Sequence, residues 1–89
     1  MNDKIILSYL EELAEKLEIL VRDENINIEE SLSNGGLCRI EREYVLILNS
    51  KATVKEKIQV MIEALNQFDF SDIYVKPVIR ELLEGSVKV

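Results

Sequence analysis

The chain contains no histidine. The absence of imidazole excludes catalysis by a Ser-His-Asp triad or a Cys-His pair, haem ligation by histidine, and every zinc site that needs a histidine ligand. It also removes the side chain that enzymes use most often to move protons near neutral pH. Many common kinds of active site are therefore ruled out before the residues that are present are considered.

The chain has a single cysteine, Cys38. One thiol forms no intramolecular disulfide and no cysteine-based zinc site. A reactive thiolate needs a nearby cation or a helix N-terminus, and the neighbouring Arg39 should point to the opposite face of a strand. We therefore expect Cys38 to face inward together with Ile40, as a small apolar residue.

Long apolar runs and clusters of positive charge are also missing. No apolar run approaches the ~18–20 residues that cross a membrane, and the N-terminus lacks the basic segment and apolar run of a signal peptide. Lysine and arginine are not clustered as phosphate binding requires. These absences predict a cytoplasmic protein with no membrane partner and no nucleic-acid partner.

Negative charge, by contrast, is in excess, and most of it lies near the N-terminus. The net charge is −6, and residues 3–24 carry seven acids against three bases. From residue 51 onward, acids and bases balance. The acidic segment is either a solvated helix face or a surface that suits a basic protein partner.

The length and the hydrophobic content predict one folded domain over residues 1–89. The chain has 89 residues, which leaves no room for a second core. A hydrophobic fraction of 47% is ample for that core and argues against disorder.

Apolar spacing predicts a long N-terminal helix over residues 3–22. Apolar residues recur at alternating intervals of four and three, which places them on one helix face. They are Ile6, Leu10, Leu13, Leu17 and Leu20. The seam covers only two heptads, so we expect it to pack on the domain's own sheet rather than to form a coiled coil.

Three strands are predicted next. A strand begins at Ile26, and Asn34-Gly35 is a preferred pair for a two-residue hairpin turn; this register pairs Leu32 with Leu37 and Glu30 with Arg39. A second tight turn at Arg42-Glu43 leads into residues 44–48, five apolar residues that point to both faces of the sheet. The expected sheet is a three-stranded antiparallel meander.

Two helices follow the predicted sheet. Thr53 and Glu56 have the spacing of a capping box at the start of an amphipathic helix that reaches Phe68. Pro77 fits the first position of a short last helix that ends at Glu84, with Gly85 beyond it. The predicted fold class is therefore α+β: an N-terminal helix, a three-stranded antiparallel meander and two C-terminal helices.

Several patterns imitate binding sites without completing them. The alternating acids and amides from Asp23 resemble the start of a calcium loop, but Ile28 stands where glycine is required and Asn34 where the bidentate glutamate is expected. Gly35-Gly36 lacks the spacing of a phosphate loop. Asp69 and Asp72 fit solvation or capping better than acid-base work. We expect no catalytic residues, no metal and no cofactor.

Four elements of the chain resemble a family of short, uncharacterised bacterial proteins. They are the hairpin Gly35-Gly36-Leu37-Cys38, the apolar strand 44–48, the amphipathic helix 54–68 and a closing Pro-x-x-Arg over residues 77–80. The family has no established activity, so this resemblance implies none.

The strand, the Asn49-Ser50 turn and the following helix are also similar to the core of zincin-like metallopeptidases. The position of their H-E-x-x-H motif falls on residues 62–66, where only Glu63 matches. Ile62 and Asn66 stand at the two ligand positions and cannot hold zinc there. The resemblance therefore implies a fold without the peptidase chemistry.

These observations favour a non-enzymatic protein–protein interaction module or a homo-oligomer, with a homodimer or another protein as partner. The sheet is apolar on both faces and three helices are too few to cover both. We expect the uncovered surface to include Leu37, Tyr44, Leu46 and Leu48. The alternative is a small enzyme or ligand-binding domain, such as a degenerate zincin-like protein, with a pocket formed by Cys38, Glu63 and Tyr74.

Overall fold

The computed structural model describes residues 2–25 and 35–87, with side chains described as far as residue 85. The fold class predicted from the sequence is confirmed: a helix precedes three strands, and two helices follow them. The elements are α1 (Asp3–Lys16), β1 (Ile19–Glu24), β2 (Gly35–Ile40), β3 (Glu43–Asn49), α2 (Val54–Leu65) and α3 (Pro77–Val87).

Helix α1 ends at Lys16, six residues earlier than predicted. Leu17 caps the helix, and Glu18 takes a positive φ of 62° that turns the chain into β1. In β1, Ile19 is buried and Leu20 is exposed, as expected for side chains that alternate between the faces of a strand. The predicted helical seam is therefore correct up to Leu17 and wrong at Leu20.

The sheet is mixed rather than an antiparallel meander. Strand β3 lies in the centre, parallel to β1 and antiparallel to β2. The segment predicted to continue the N-terminal helix supplies the parallel strand, which accounts for the difference. The strand predicted to begin at Ile26, with its pairs from Leu32 and Glu30, lies outside the described residues.

Strands β2 and β3 form a hairpin, as the sequence predicts, but the turn lies one residue earlier. Ile40 pairs with Glu43, so the two-residue loop is Glu41-Arg42 rather than Arg42-Glu43. Glu41 has a φ of 58°, which a tight turn requires and which glycine or asparagine adopts more easily. The described partners of Leu37 and Arg39 are Leu46 and Tyr44.

The capping box at the start of α2 is confirmed. The backbone N–H of Glu56 donates to Thr53 Oγ1 at 3.1 Å, and the N–H of Thr53 donates to Glu56 Oε1 at 2.8 Å. Helix α2 ends at Leu65, three residues before the predicted Phe68. Helix α3 begins at Pro77 as predicted but continues past Gly85.

The helices lie against one face of the sheet, which we call the inner face. Helix α1 packs over β1 and α2 over β2 and β3, while α3 packs on α1 and α2. The core that they enclose is continuous. Its buried members are Leu10, Leu13, Ala14, Ile19, Leu46, Leu48, Met61, Ile62, Ala64, Leu65, Val75, Ile79 and Leu83. None of the helices in the described part of the chain is long and apolar enough to span a membrane.

Candidate functional site

The opposite face of the sheet, which we call the outer face, presents apolar side chains that do not belong to the core. Its apolar members are Leu20, Cys38, Ile40, Val45 and Ile47. Val45 lies in register between Leu20 and Cys38 and is buried. Leu20 is 54% exposed, Ile40 is 51% exposed, and Cys38 is exposed. No helix of the described residues packs on this surface.

The outer face corrects two expectations from the sequence. The interaction surface was expected at Leu37, Tyr44, Leu46 and Leu48, but these residues share the inner face that α1 and α2 cover. Leu46 and Leu48 are fully buried in the core, and Leu37 and Tyr44 pack partly buried against it. Alternation along a strand shows which residues share a face, but the position of the helices decides which face is covered.

The second correction concerns Cys38 and Ile40, which were expected to face inward. Leu37 and Arg39 have the inner-face orientation instead, since they pair with Leu46 and Tyr44. The Arg39 guanidinium lies 5.5 Å from the centre of the Tyr44 ring at the end of the sheet. Cys38 is therefore a surface residue rather than a small core residue.

The structure does not bring the three predicted pocket residues together in one cleft. Cys38 lies on the outer face, and Glu63 is exposed on α2, where it accepts a hydrogen bond from Gln59 Nε2 at 3.2 Å. Tyr74 is 69% exposed in the segment before α3. Tyr74 lines a crease between α1 and the segment before α3. Cys38 and Glu63 line neither this crease nor the groove at the end of α1.

The first cleft is a crease between α1 and the segment that precedes α3. Lys76 Nζ lies 3.4 Å from Glu12 Oε2 and 4.5 Å from the centre of the Tyr9 ring. The Lys16 ammonium lies 6.0 Å from the Tyr74 ring on the same side. The cavity left among these side chains is about 10 Å³, enough for one water molecule. The crease is therefore a packing contact between elements and is too small for a ligand.

The second cleft is an open groove of about 750 Å³ where α1 ends and where β1 and β3 begin. We call it the end groove. Its apolar lining includes the rings of Tyr44 and Phe68, which meet edge to face with centroids 4.9 Å apart. Three carboxylates and one guanidinium also line it. The described residues that line it are Glu15, Leu17, Glu18, Ile19, Leu20, Arg42, Glu43, Tyr44 and Phe68.

Charged side chains from three elements meet near the other end of β1. Lys57 Nζ on α2 lies 3.4 Å from Asp23 Oδ1 on β1. Burial raises the pKa of the Glu11 carboxyl on α1, the negative charge of Asp23 raises it further, and the charge of Lys57 partly opposes both effects. Among the described residues, no three potential ligands of the His, Cys, Asp or Glu type are grouped to hold a metal ion.

Asp69, one of the two carboxylates considered for acid-base work, forms a local turn. It accepts a hydrogen bond from the backbone N–H of Ser71 at 3.0 Å. This hydrogen bond, together with one from the Ser71 side chain, holds the pKa of Asp69 below its usual value. A lowered pKa keeps the group ionised, so it is poorly suited to donate a proton at neutral pH.

The geometry defines a small α+β protein that covers one face of a mixed sheet with helices and exposes apolar residues on the other. No family model matches the chain, and no match was found among curated proteins or among solved structures. Sequence reasoning missed Leu20 as an outer-face residue and missed the end groove. The consecutive apolar residues Ile19, Leu20 and Val21 were the signal for a strand at this place.

Proposed function

We propose that this protein is a non-enzymatic interaction module that self-associates through its outer face as a two-fold dimer. The observation that carries the proposal is the half-exposed apolar surface around Leu20 and Ile40, on which no helix of the described residues packs. Contiguous apolar patches on a soluble protein often mark an interaction site. Cytoplasmic location and the absence of nucleic-acid and membrane partners belong to the same proposal.

The shape of the surface suits a second sheet. Two sheets that pack face to face lie about 10 Å apart and interleave the side chains of their facing surfaces. The outer face offers apolar side chains on all three described strands, with Val45 at the centre. A two-fold axis through this face would bring the same residues of both copies together.

Charge also favours a second copy as the partner. The chain carries a net charge of −6, yet the described residues of the outer face include one base and two acids, namely Arg22, Glu24 and Glu43. Arg22 Nη2 already lies 2.9 Å from Glu24 Oε1. Two outer faces can therefore meet without strong repulsion, because most of the excess negative charge lies elsewhere on the molecule.

The test is the molar mass in solution, measured by light scattering coupled to size exclusion from about 5 to 500 µM. We expect the mass of two chains for the natural sequence. Ile40→Lys places a charge within the proposed interface and should give the mass of one chain. Ile5→Lys is the matched control, because Ile5 is a 44% exposed isoleucine on α1, and it should remain dimeric.

Two results would contradict the proposal. One is a single-chain mass for the natural sequence over the whole concentration range. The other is dissociation by Ile5→Lys to the same extent as by Ile40→Lys, since this would place the interface elsewhere. Circular dichroism of both variants checks that each keeps its secondary structure.

A further inference from the structure

The lining of the end groove combines apolar and charged side chains. We call its apolar members, Leu17, Ile19, Leu20, Tyr44 and Phe68, the floor and its charged members the rim. Leu20 is the most exposed large aliphatic residue of the described chain, at 54%. A volume of about 750 Å³ lies within the ~300–1,000 Å³ of typical ligand pockets. The groove is therefore large enough for apolar side chains of a partner, unlike the crease beside Tyr74.

We propose that the end groove binds a basic segment of a partner protein, which inserts apolar side chains between its lysine or arginine residues. The rim supplies the charge that selects this partner. Among the described residues, Glu15, Glu18 and Glu43 line the groove together with one base, Arg42, so this part of the lining carries a net charge of −2. A net negative charge beside apolar side chains is complementary to a cationic amphipathic segment.

Two other occupants fit the groove less well. A second copy of this chain carries a net charge of −6 and would be repelled by the acidic rim. A bare metal ion needs several oxygen ligands converging on one point, and no such group of three is present among the described residues. The carboxylates line a wide groove and are not grouped at one point, which suits several dispersed positive charges.

This inference goes beyond the proposed dimer and can fail separately from it. Leu20 and Glu43 belong to both the end groove and the outer face, so neither is altered in the test. Glu15 lies at the end of α1 and Glu18 in the turn that follows it, and neither is on the outer face. A second copy on the outer face would cover Leu20, so binding is measured on the Ile40→Lys variant, in which the proposed dimer interface is removed, as well as on the natural sequence.

The probe is a fluorescently labelled twelve-residue peptide of interspersed lysine and leucine, and binding is followed by anisotropy at low salt. We expect saturable binding that weakens as salt is added. The double variant Glu15→Lys with Glu18→Lys should bind about tenfold more weakly, because two attractive charges become repulsive. The matched control is Glu81→Lys with Glu84→Lys, which makes the same change of net charge on exposed positions of α3 and should bind within about twofold of the natural sequence.

Peptide controls separate groove binding from simple charge attraction. A peptide with serine in place of leucine should bind much more weakly if apolar side chains enter the groove. Equal affinity for both peptides, or an equal loss of affinity in the two double variants, would overturn the proposal. Chemical-shift mapping should place the largest amide shifts at Leu17, Leu20 and Phe68, and shifts confined to other surfaces would also overturn it.

Discussion

At the scale of single residues, the backbone turns left-handed at two described positions that are not glycine. Both are glutamates: Glu18 has a φ of 62° and Glu41 a φ of 58°. A side chain in this region costs on the order of 1 kcal/mol relative to glycine. Glu18 directly precedes β1 and Glu41 directly follows β2, where the chain must change direction within one or two residues.

Gly35 is the described residue whose lack of a side chain matters most. Its φ is 139°, and a Cβ built there would overlap the carbonyl oxygen of Ile47 on the central strand. We therefore expect Gly35→Ala to lower the free energy of unfolding by more than about 2 kcal/mol, measured by chemical denaturation.

Gly36 provides the matched control for this prediction. A Cβ at Gly36 meets nothing within 4 Å. Gly36→Ala should therefore change the free energy of unfolding by less than about 1 kcal/mol. Similar losses in the two variants would contradict the close approach of Gly35 to β3.

At the scale of elements, the sequence predicted the helices and the hairpin better than the first strand. Local signals identify α2 by its capping box and the start of α3 by Pro77. Helix ends are commonly marked by glycine at the left-handed position, but Glu18 occupies that position after α1. Leu20 also continues the helical spacing of the apolar residues, so the consecutive apolar residues from Ile19 to Val21 were the one local sign of the change from helix to strand.

The sequence predicted an exposed apolar surface on the sheet, but it did not predict which face of the sheet would be exposed. The alternating pattern of β3 correctly indicated apolar residues on both faces of the sheet. Both α1 and α2 lie on the face of Leu46, a long-range packing arrangement that alternation within a strand does not encode. The end groove could not be recognised from the sequence, because it forms where α1, β1 and β3 come together in the folded chain.

The charged side chains Glu11 on α1, Asp23 on β1 and Lys57 on α2 predict a pH-dependent effect on stability. The pKa of Glu11 is raised, so the native state binds this proton more tightly than the unfolded chain does. The group therefore contributes stability at low pH, and this contribution is lost as the pH rises from the ordinary pKa of glutamate through the raised one. Glu11→Gln removes the free-energy cost of ionising this carboxyl in the folded state. It should stabilise the protein at pH 7 by on the order of 0.5 kcal/mol, a small gain because solvent screens the carboxylate.

Denaturation at several pH values checks this effect. The advantage of Glu11→Gln should fade as the pH falls below about 4 and should be lost near about pH 3, where the carboxyl is protonated in both states. Glu15→Gln makes the same change of net charge at an exposed position of α1 and should show no such advantage. A gain for Glu11→Gln that persists unchanged at low pH would contradict the assigned cause.

At the scale of the whole molecule, a dimer through the outer face links stability to concentration. Association withdraws folded chains from the unfolding equilibrium, so Tm should rise with protein concentration. For two chains of this length, a hundredfold increase in concentration should raise Tm by roughly 7 °C. Ile40→Lys should abolish this dependence, whereas a concentration-independent Tm for the natural sequence would contradict self-association.

The strand order has a consequence for how the chain folds during synthesis. The central strand β3 is the last of the three described strands to leave the ribosome, and its pairing of Ile19 with Tyr44 joins residues 25 positions apart. Until β3 emerges, β1 and β2 lack the neighbour to which each is hydrogen-bonded in the native sheet. Assembly of these three strands must therefore wait for one late segment, and closing that long loop slows it relative to local helix formation.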